Sequence, residues 1–313
     1  MSFRIDPGAP LDAEIRRIAE EQIGKAVAEL SAPKPGEDRH EAVHDVRKRM
    51  KKLRALFRLV RGGDEAFFKA ENARYRDTAR TLSAARDRTA LIEALDSLRE
   101  HVPAGLSAEA VDAAFTPLRQ ELEARRREAL AAEGDLDGLI TATIEALHAS
   151  QAALEALAFR RRKSVEIAST GFARTQDEAL TALKRAEKSG DAEDLHELRK
   201  HVKYLGFHLA LLAPLWPEAF APMRDAAGKI GDDLGRDHDF AVLRSEIDAE
   251  KHALVLALMD RRQAELQREG LAASRRLLAE KPAAAEARIA RLYRDAAKAA
   301  KARAEAETPA AAD

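Results

Sequence analysis

The hexapeptide Val43-His44-Asp45-Val46-Arg47-Lys48 returns 152 residues later as Leu195-His196-Glu197-Leu198-Arg199-Lys200. The same displacement, without a gap, carries Glu41 to Glu193, Lys51 to Lys203 and Leu53 to Leu205. Farther along it carries Leu82 to Leu234, Asp87 to Asp239 and Leu91 to Leu243. Register held through two helical segments and the turn between them implies a duplicated unit, not a coincidence between helical sequences. Whatever one half folds into, the other half must repeat, and the two must pack together. The expected architecture is all-α, two helical bundles related by a pseudo-two-fold axis. A first repeat is expected over 10–160 and a second over 161–307, within a single domain spanning 1–313.

Helical periodicity runs almost from end to end and breaks where Pro and Gly cluster. Helices are expected near 11–30, 41–61, 64–100, 108–133, 137–167, 174–189, 192–213, 218–235, 239–280 (interrupted) and 283–306. Ala, Leu, Glu, Arg and Lys dominate, all strong helix formers, and aromatics are only 4%. The chain has no Cys, which excludes disulfides and thiolate metal sites. No apolar run approaches the length that spans a bilayer, so no membrane partner is expected. Met1 to Pro10 lacks a basic-then-apolar leader pattern. A cytoplasmic location is expected, and the Ala and Arg usage suits a bacterial source.

Lys and Arg total 53 and Asp and Glu total 54, so the whole chain is nearly neutral. Locally it is not. His44 to Arg61 holds eight basic residues and one acid, a net of +7 over 18 residues. On a wheel of about 100° per residue, Lys48, Lys51, Arg58, Arg47 and Arg54 fall within roughly 80° of His44. Val43, Val46, Met50, Leu53, Leu56, Phe57 and Val60 occupy the other side. The helix therefore presents a cationic stripe about 21 Å long. The second copy repeats it with His196, Arg199, Lys200 and Lys203, more weakly, because Gly206 and Ala210 stand where Arg54 and Arg58 stood. A solvated helix face usually alternates its charges, and like charges at i, i+4 destabilise it by about 0.2–0.5 kcal/mol per pair. Carrying that cost in both copies implies a multivalent anion as partner. Arg76 and Arg80, about one turn apart on the next helix, extend the basic surface.

These segments resemble the CHAD family, named for a conserved histidine in an α-helical domain. The first half reads His44-x-x-Arg47-x-x-x-Lys51-Lys52-Leu53-Arg54, then Leu82-Ser83-x-x-Arg86-Asp87. The second reads His196-Glu197-Leu198-Arg199-Lys200-x-x-Lys203-x-Leu205, then Leu234-Gly235-x-x-x-Asp239. The chain departs from the family at Leu205-Gly206-Phe207, where Leu-Arg-Tyr is common, and at Ser83 and Thr89. The resemblance implies two units of about four helices around a central basic groove. It also implies non-catalytic binding of inorganic polyphosphate, with association with polyphosphate granules in prospect. Carried over by position, the anion contacts are His44, Arg47, Lys51, Arg54, His196, Arg199, Lys200 and Lys203, with Lys48 and Arg58 added from the stripe. Asp87 and Asp239 would orient Arg or His. An anion that favours protonated imidazole would make affinity rise below about pH 6.5.

Two alternatives draw on other features. Glu41-x-x-His44 and Glu193-x-x-His196 have the i, i+3 spacing of metal sites in helical bundles, but Arg47, Lys48 and Lys51 on the same face repel a dication. A basic groove also suits nucleic acid, but single-strand binders interleave aromatics for stacking, and the first stripe has none. No acids cluster on one face to hold Mg²⁺ beside phosphate, so neither catalysis nor a cofactor is expected. The runs Arg125-Arg126-Arg127 and Arg160-Arg161-Arg162-Lys163 read as solvated faces that widen an electrostatic funnel.

Overall fold

A computed structural model of the chain describes residues 3–32, 39–82, 84–132 and 136–307. Eleven α-helices occupy them: α1 (Leu11–Ser31), α2 (Arg39–Leu59), α3 (Glu65–Thr81), α4 (Ala84–Arg99), α5 (Ala108–Ala132), α6 (Leu136–Glu155), α7 (Ser164–Ser189), α8 (Ala192–Leu211), α9 (Pro217–Glu246), α10 (Ala253–Leu277) and α11 (Pro282–Glu307). Short 3-10 turns lie at Arg161–Lys163 and Ala213–Leu215. The fold is all-α.

Ten helical stretches were expected and eleven helices are present, because the stretch 64–100 divides. Helix α3 stops at Leu82, whose backbone has left helical geometry (φ −87°, ψ 6°), and α4 begins at Ala84. The position 152 residues farther on lies inside the unbroken α9. The chain breaks next to Ser83 and continues through Gly235, the reverse of intrinsic propensity, so packing decides. The expected helix over 137–167 ends instead at Glu155. There the Leu157 carbonyl accepts from the Arg16 guanidinium, and Phe159 packs across Gly63. These contacts pull the chain out of the helix before α7 starts.

Each helix buries the face its sequence predicts. On α2, Val43, Val46, Met50, Leu53, Leu56 and Phe57 are at most 5% exposed, leaving the cationic side outward. The Asp64 carboxylate caps α3 by accepting from the Phe67 amide at 2.9 Å, satisfying one of the helix's orphan donors. Gly190, at φ +67°, closes α7 in the left-handed conformation that glycine adopts without strain.

Two apolar cores result. The larger joins α1, α2, α6, α7, α8 and α11 to the first half of α9. The smaller joins α4, α5, α10 and the second half of α9. Helix α2 packs on α1, α3, α7 and α8, while α9 packs on α8, α10 and α4. The outward faces of α2 and α8 therefore meet α4 and the end of α9 at the seam between the cores.

Candidate functional site: a cleft between two cores

A cleft of about 500 Å³ opens at this seam. Helix α2 contributes His44, Arg47, Lys48 and Lys51, and α8 contributes His196 and Arg199. Helix α4 contributes Ala90, Leu91 and Glu93, and α9 contributes His238, Asp239 and Val242. Six of the residues singled out in the sequence thus meet in one concavity, drawn from segments 152 residues apart.

The electrostatics of the cleft are those of crowded like charges. Burial pushes the Lys51 ammonium down to about 8, and Arg199, Arg47, Lys203 and Arg54 push the same way. The side chain remains open to solvent, which weakens both effects by screening. Burial also lowers Arg199, against the pull of Asp239 and Asp232. Burial lowers Lys203 too, followed by the repulsion of Arg199 and opposed by Asp232 at 3.7 Å. Arg199 donates from Nε to the Gly231 carbonyl at 3.0 Å. Its guanidinium lies flat over Gly235, where an added Cβ would come within 2.8 Å of Nη2. A side chain at position 235 would displace the arginine.

His196 and His238 lie in contact, ring centroids 4.2 Å apart and tilted by 41°. Burial, His238 and Arg199 hold the His196 imidazole down to about 4. In the free protein His196 therefore takes up a proton only well below the ordinary imidazole range, and any proton-linked gain in affinity that a bound anion confers starts from that low value. Asp239 is pushed up by burial, with Arg199 and Arg236 opposing and Glu93 adding to the rise. Behind this wall, buried Asp237 accepts from the Gln267 and Gln263 amides at 2.8 and 3.1 Å. These bonds tie α9 to α10 and fix the direction in which His238 and Asp239 project.

The other proposed contacts lie elsewhere. Arg54 donates to Asn72 Oδ1 at 3.0 Å and faces the Tyr204 ring; it stands beside the cleft, near enough to act on Lys51. Arg58 lies outside the cleft. Its guanidinium is 2.7 Å from Glu178 and 4.5 Å from the Tyr204 ring centroid, with the side chain 11% exposed. Arg61 holds the other Glu178 oxygen at 2.7 Å. Burial would raise the Glu178 carboxyl, but His201, Arg58 and Arg61 reverse that and bring it to about 2. Arg76 and Arg80 both pair with Asp77 at 3.0 Å on the exposed side of α3. Lys200 pairs with Glu197 and Lys48 with Asp45. Ser83 and the side chains of Arg86 and Asp87 lie outside the described residues.

Sequence reasoning assigned nothing to His238, Glu93 or Glu178. His238 falls within the segment Leu234 to Asp239 that the repeat matched, at the position of Arg86 in the first half. That register was the available signal. Glu178 carried none, because its role depends on α7 crossing α2. Neither Glu41 nor Glu193 lines the cleft. Among the described residues no group of three His, Asp or Glu is arranged to hold a metal ion.

No curated protein matches the chain. Among solved structures, it is similar to PptA from Streptomyces chartreusis, with a TM-score of 0.60 and 15% sequence identity over 87% of this chain and 100% of that one. At that identity the likeness establishes a shared fold. The CHAD domain model matches residues 17–248, a span containing both cation rows, both histidines of the repeat and every residue that lines the cleft, and the chain belongs to the CHAD domain family.

Proposed function

We propose that this protein binds inorganic polyphosphate, or a closely similar polyanion, along the cleft and catalyses nothing. One observation carries the reading: Lys51 sits among Arg199, Arg47, Lys203 and Arg54, all of which act against its charge. A folded protein keeps such a cluster at a cost, and a bound chain of phosphates removes that cost by supplying the missing charge. Arg47 and Arg199 offer planar forks to phosphate oxygens, and Lys48 and Lys51 offer point charges. The family's association with polyphosphate supports the same reading. The two cation rows are read as products of an internal duplication, since shifting α2 by 152 residues lands on α8 and shifting α1 lands within a residue of the start of α7. A cytoplasmic location and association with polyphosphate granules belong to this proposal.

The test is a titration with long-chain polyphosphate at several salt concentrations, with single-stranded RNA as competitor. Binding should weaken steeply with salt, by analogy with counterion release from nucleic acids at about 0.7 per neutralised phosphate in log–log slope. Lys51→Glu combined with Lys203→Glu should lower affinity by about 10²–10⁴-fold, two charged contacts at about 1.5–3 kcal/mol each. RNA should compete poorly, because no aromatic row lines the cleft. Unchanged binding by the double variant would show that another surface holds the anion.

A further inference from the structure

The cleft has two unlike walls. Arg47, Lys48, Lys51 and Arg199 form the wall made by α2 and α8. The wall made by α4 and α9 carries Ala90, Leu91 and Val242, with the carboxylates of Glu93 and Asp239. A bare phosphate chain has no use for this second wall. Carboxylates repel phosphate, and apolar side chains give it nothing. Val242 is nonetheless 37% exposed, one of three large apolar side chains so placed among the described residues, and it stands inside a charged cleft. Beside it the imidazoles of His196 and His238 meet at a tilt of 41° and give the cleft an aromatic edge. The two walls together suit a ligand with an anionic tail and a flat head bearing hydroxyl donors.

We propose that the cleft takes a nucleoside polyphosphate, with its phosphates on Arg47, Lys51 and Arg199, its ribose hydroxyls on Glu93 and Asp239, and its base against Val242 and the histidine pair. This rests on the polyanion reading of the same cleft and names a second class of ligand for it. A carboxylate accepting from a ribose hydroxyl is a recurrent mode of nucleotide recognition. A base gains from apolar and aromatic contact whatever its identity. The cleft volume of about 500 Å³ lies within the range of roughly 300–1,000 Å³ common for small-molecule sites. The apolar wall is short, so bases should be poorly distinguished while the presence of a nucleoside is clearly sensed.

The experiment compares three ligands by calorimetry in EDTA at about 100 mM salt: ATP, tripolyphosphate of similar charge, and long-chain polyphosphate. Each is titrated into the wild type, Val242→Gln and Glu93→Gln, both substitutions being at exposed positions. ATP should bind at least about ten-fold more tightly than tripolyphosphate. Each variant should erase about three- to ten-fold of that advantage while leaving tripolyphosphate unweakened. If ATP binds no tighter than tripolyphosphate while long-chain polyphosphate still binds, the nucleoside proposal is overturned and the polyanion reading stands. If ATP binds and long-chain polyphosphate does not, the nucleoside assignment stands and the long-chain reading falls. If none of the three binds, both fall together.

Discussion

The α2 and α8 rows place histidine, arginine and lysine at the same intervals, yet their charges are in different states. On α8, Lys203 leans toward Asp232, Lys200 is paired with Glu197, and Arg199 bonds the Gly231 carbonyl within reach of Asp239. On α2, Lys48 is paired with Asp45, while the charges that act most strongly on Lys51 are the cations Arg199, Arg47, Lys203 and Arg54. Farther along, the counterparts of Arg54 and Arg58 in the other row are the uncharged Gly206 and Ala210. Preserving residue types across the displacement has not preserved their neutralisation. Anion binding should therefore depend more on α2, with α8 supplying a softer, partly satisfied edge.

The largest expected effect concerns where the α2 row ends. Glu178→Gln leaves Arg58 and Arg61 buried with no counterion, and losing one partner of a buried pair costs about 3–5 kcal/mol. Denaturant unfolding should show that loss, while polyphosphate affinity of the folded protein stays within about two-fold. A stable variant that binds more tightly would mean Arg58 belongs to the row and had been held out of it. Next in size, Lys51→Ala should weaken polyphosphate binding by about 10–100-fold, one charged contact of about 1.5–3 kcal/mol. Lys203→Ala should cost less, because Asp232 already shares its charge. The opposite order in parallel titrations would break the comparison between rows.

A smaller effect should appear with pH. Lys51 has a value of about 8 in the free protein, and a bound anion restores it toward the ordinary lysine range. Between those values the complex holds more protons than the free protein. Affinity is then complete below about pH 8 and declines above it, by at most about ten-fold per pH unit for one proton. Lys51→Arg should flatten this profile. His196 acts on stability at the other end of the scale. Its folded value of about 4 lies below the ordinary imidazole value of 6.5, so the unfolded chain binds more protons between the two. Stability should fall as pH drops through that window, and His196→Gln should make the slope shallower in thermal melts, with buried His208, held down to about 3, also contributing to it. Smallest is Gly235→Ala, whose Cβ would meet the Arg199 guanidinium at 2.8 Å. It should push Arg199 off the Gly231 carbonyl and change affinity by less than about ten-fold, making the α8 row more like the α2 row.

The helical class and the inner ends of both rows were readable because they depend on local spacing. His44, Arg47 and Lys51 lie on one face of α2 in any packing, so the wheel found them. Arg58 shares their angle but not their surroundings, since over the seven residues from Lys51 α2 advances about 10 Å and meets α7. A wheel gives direction and says nothing about which neighbour waits there. Arg76 and Arg80 were drawn in by their spacing, yet Asp77 beside them takes up both charges. His238 was passed over because its counterpart in the first half is an arginine. The division of α3 from α4 ran against propensity and had no local signal.

The cluster of Arg58, Arg61, Glu178 and His201 also bears on how the protein can be cut. Two of its members come from the N-terminal half and two from the C-terminal half. A fragment ending after α6 would keep both arginines and lose their acid, and its complement would keep the acid alone. Neither piece should fold stably on its own, while the two mixed together should recover the complete charge set.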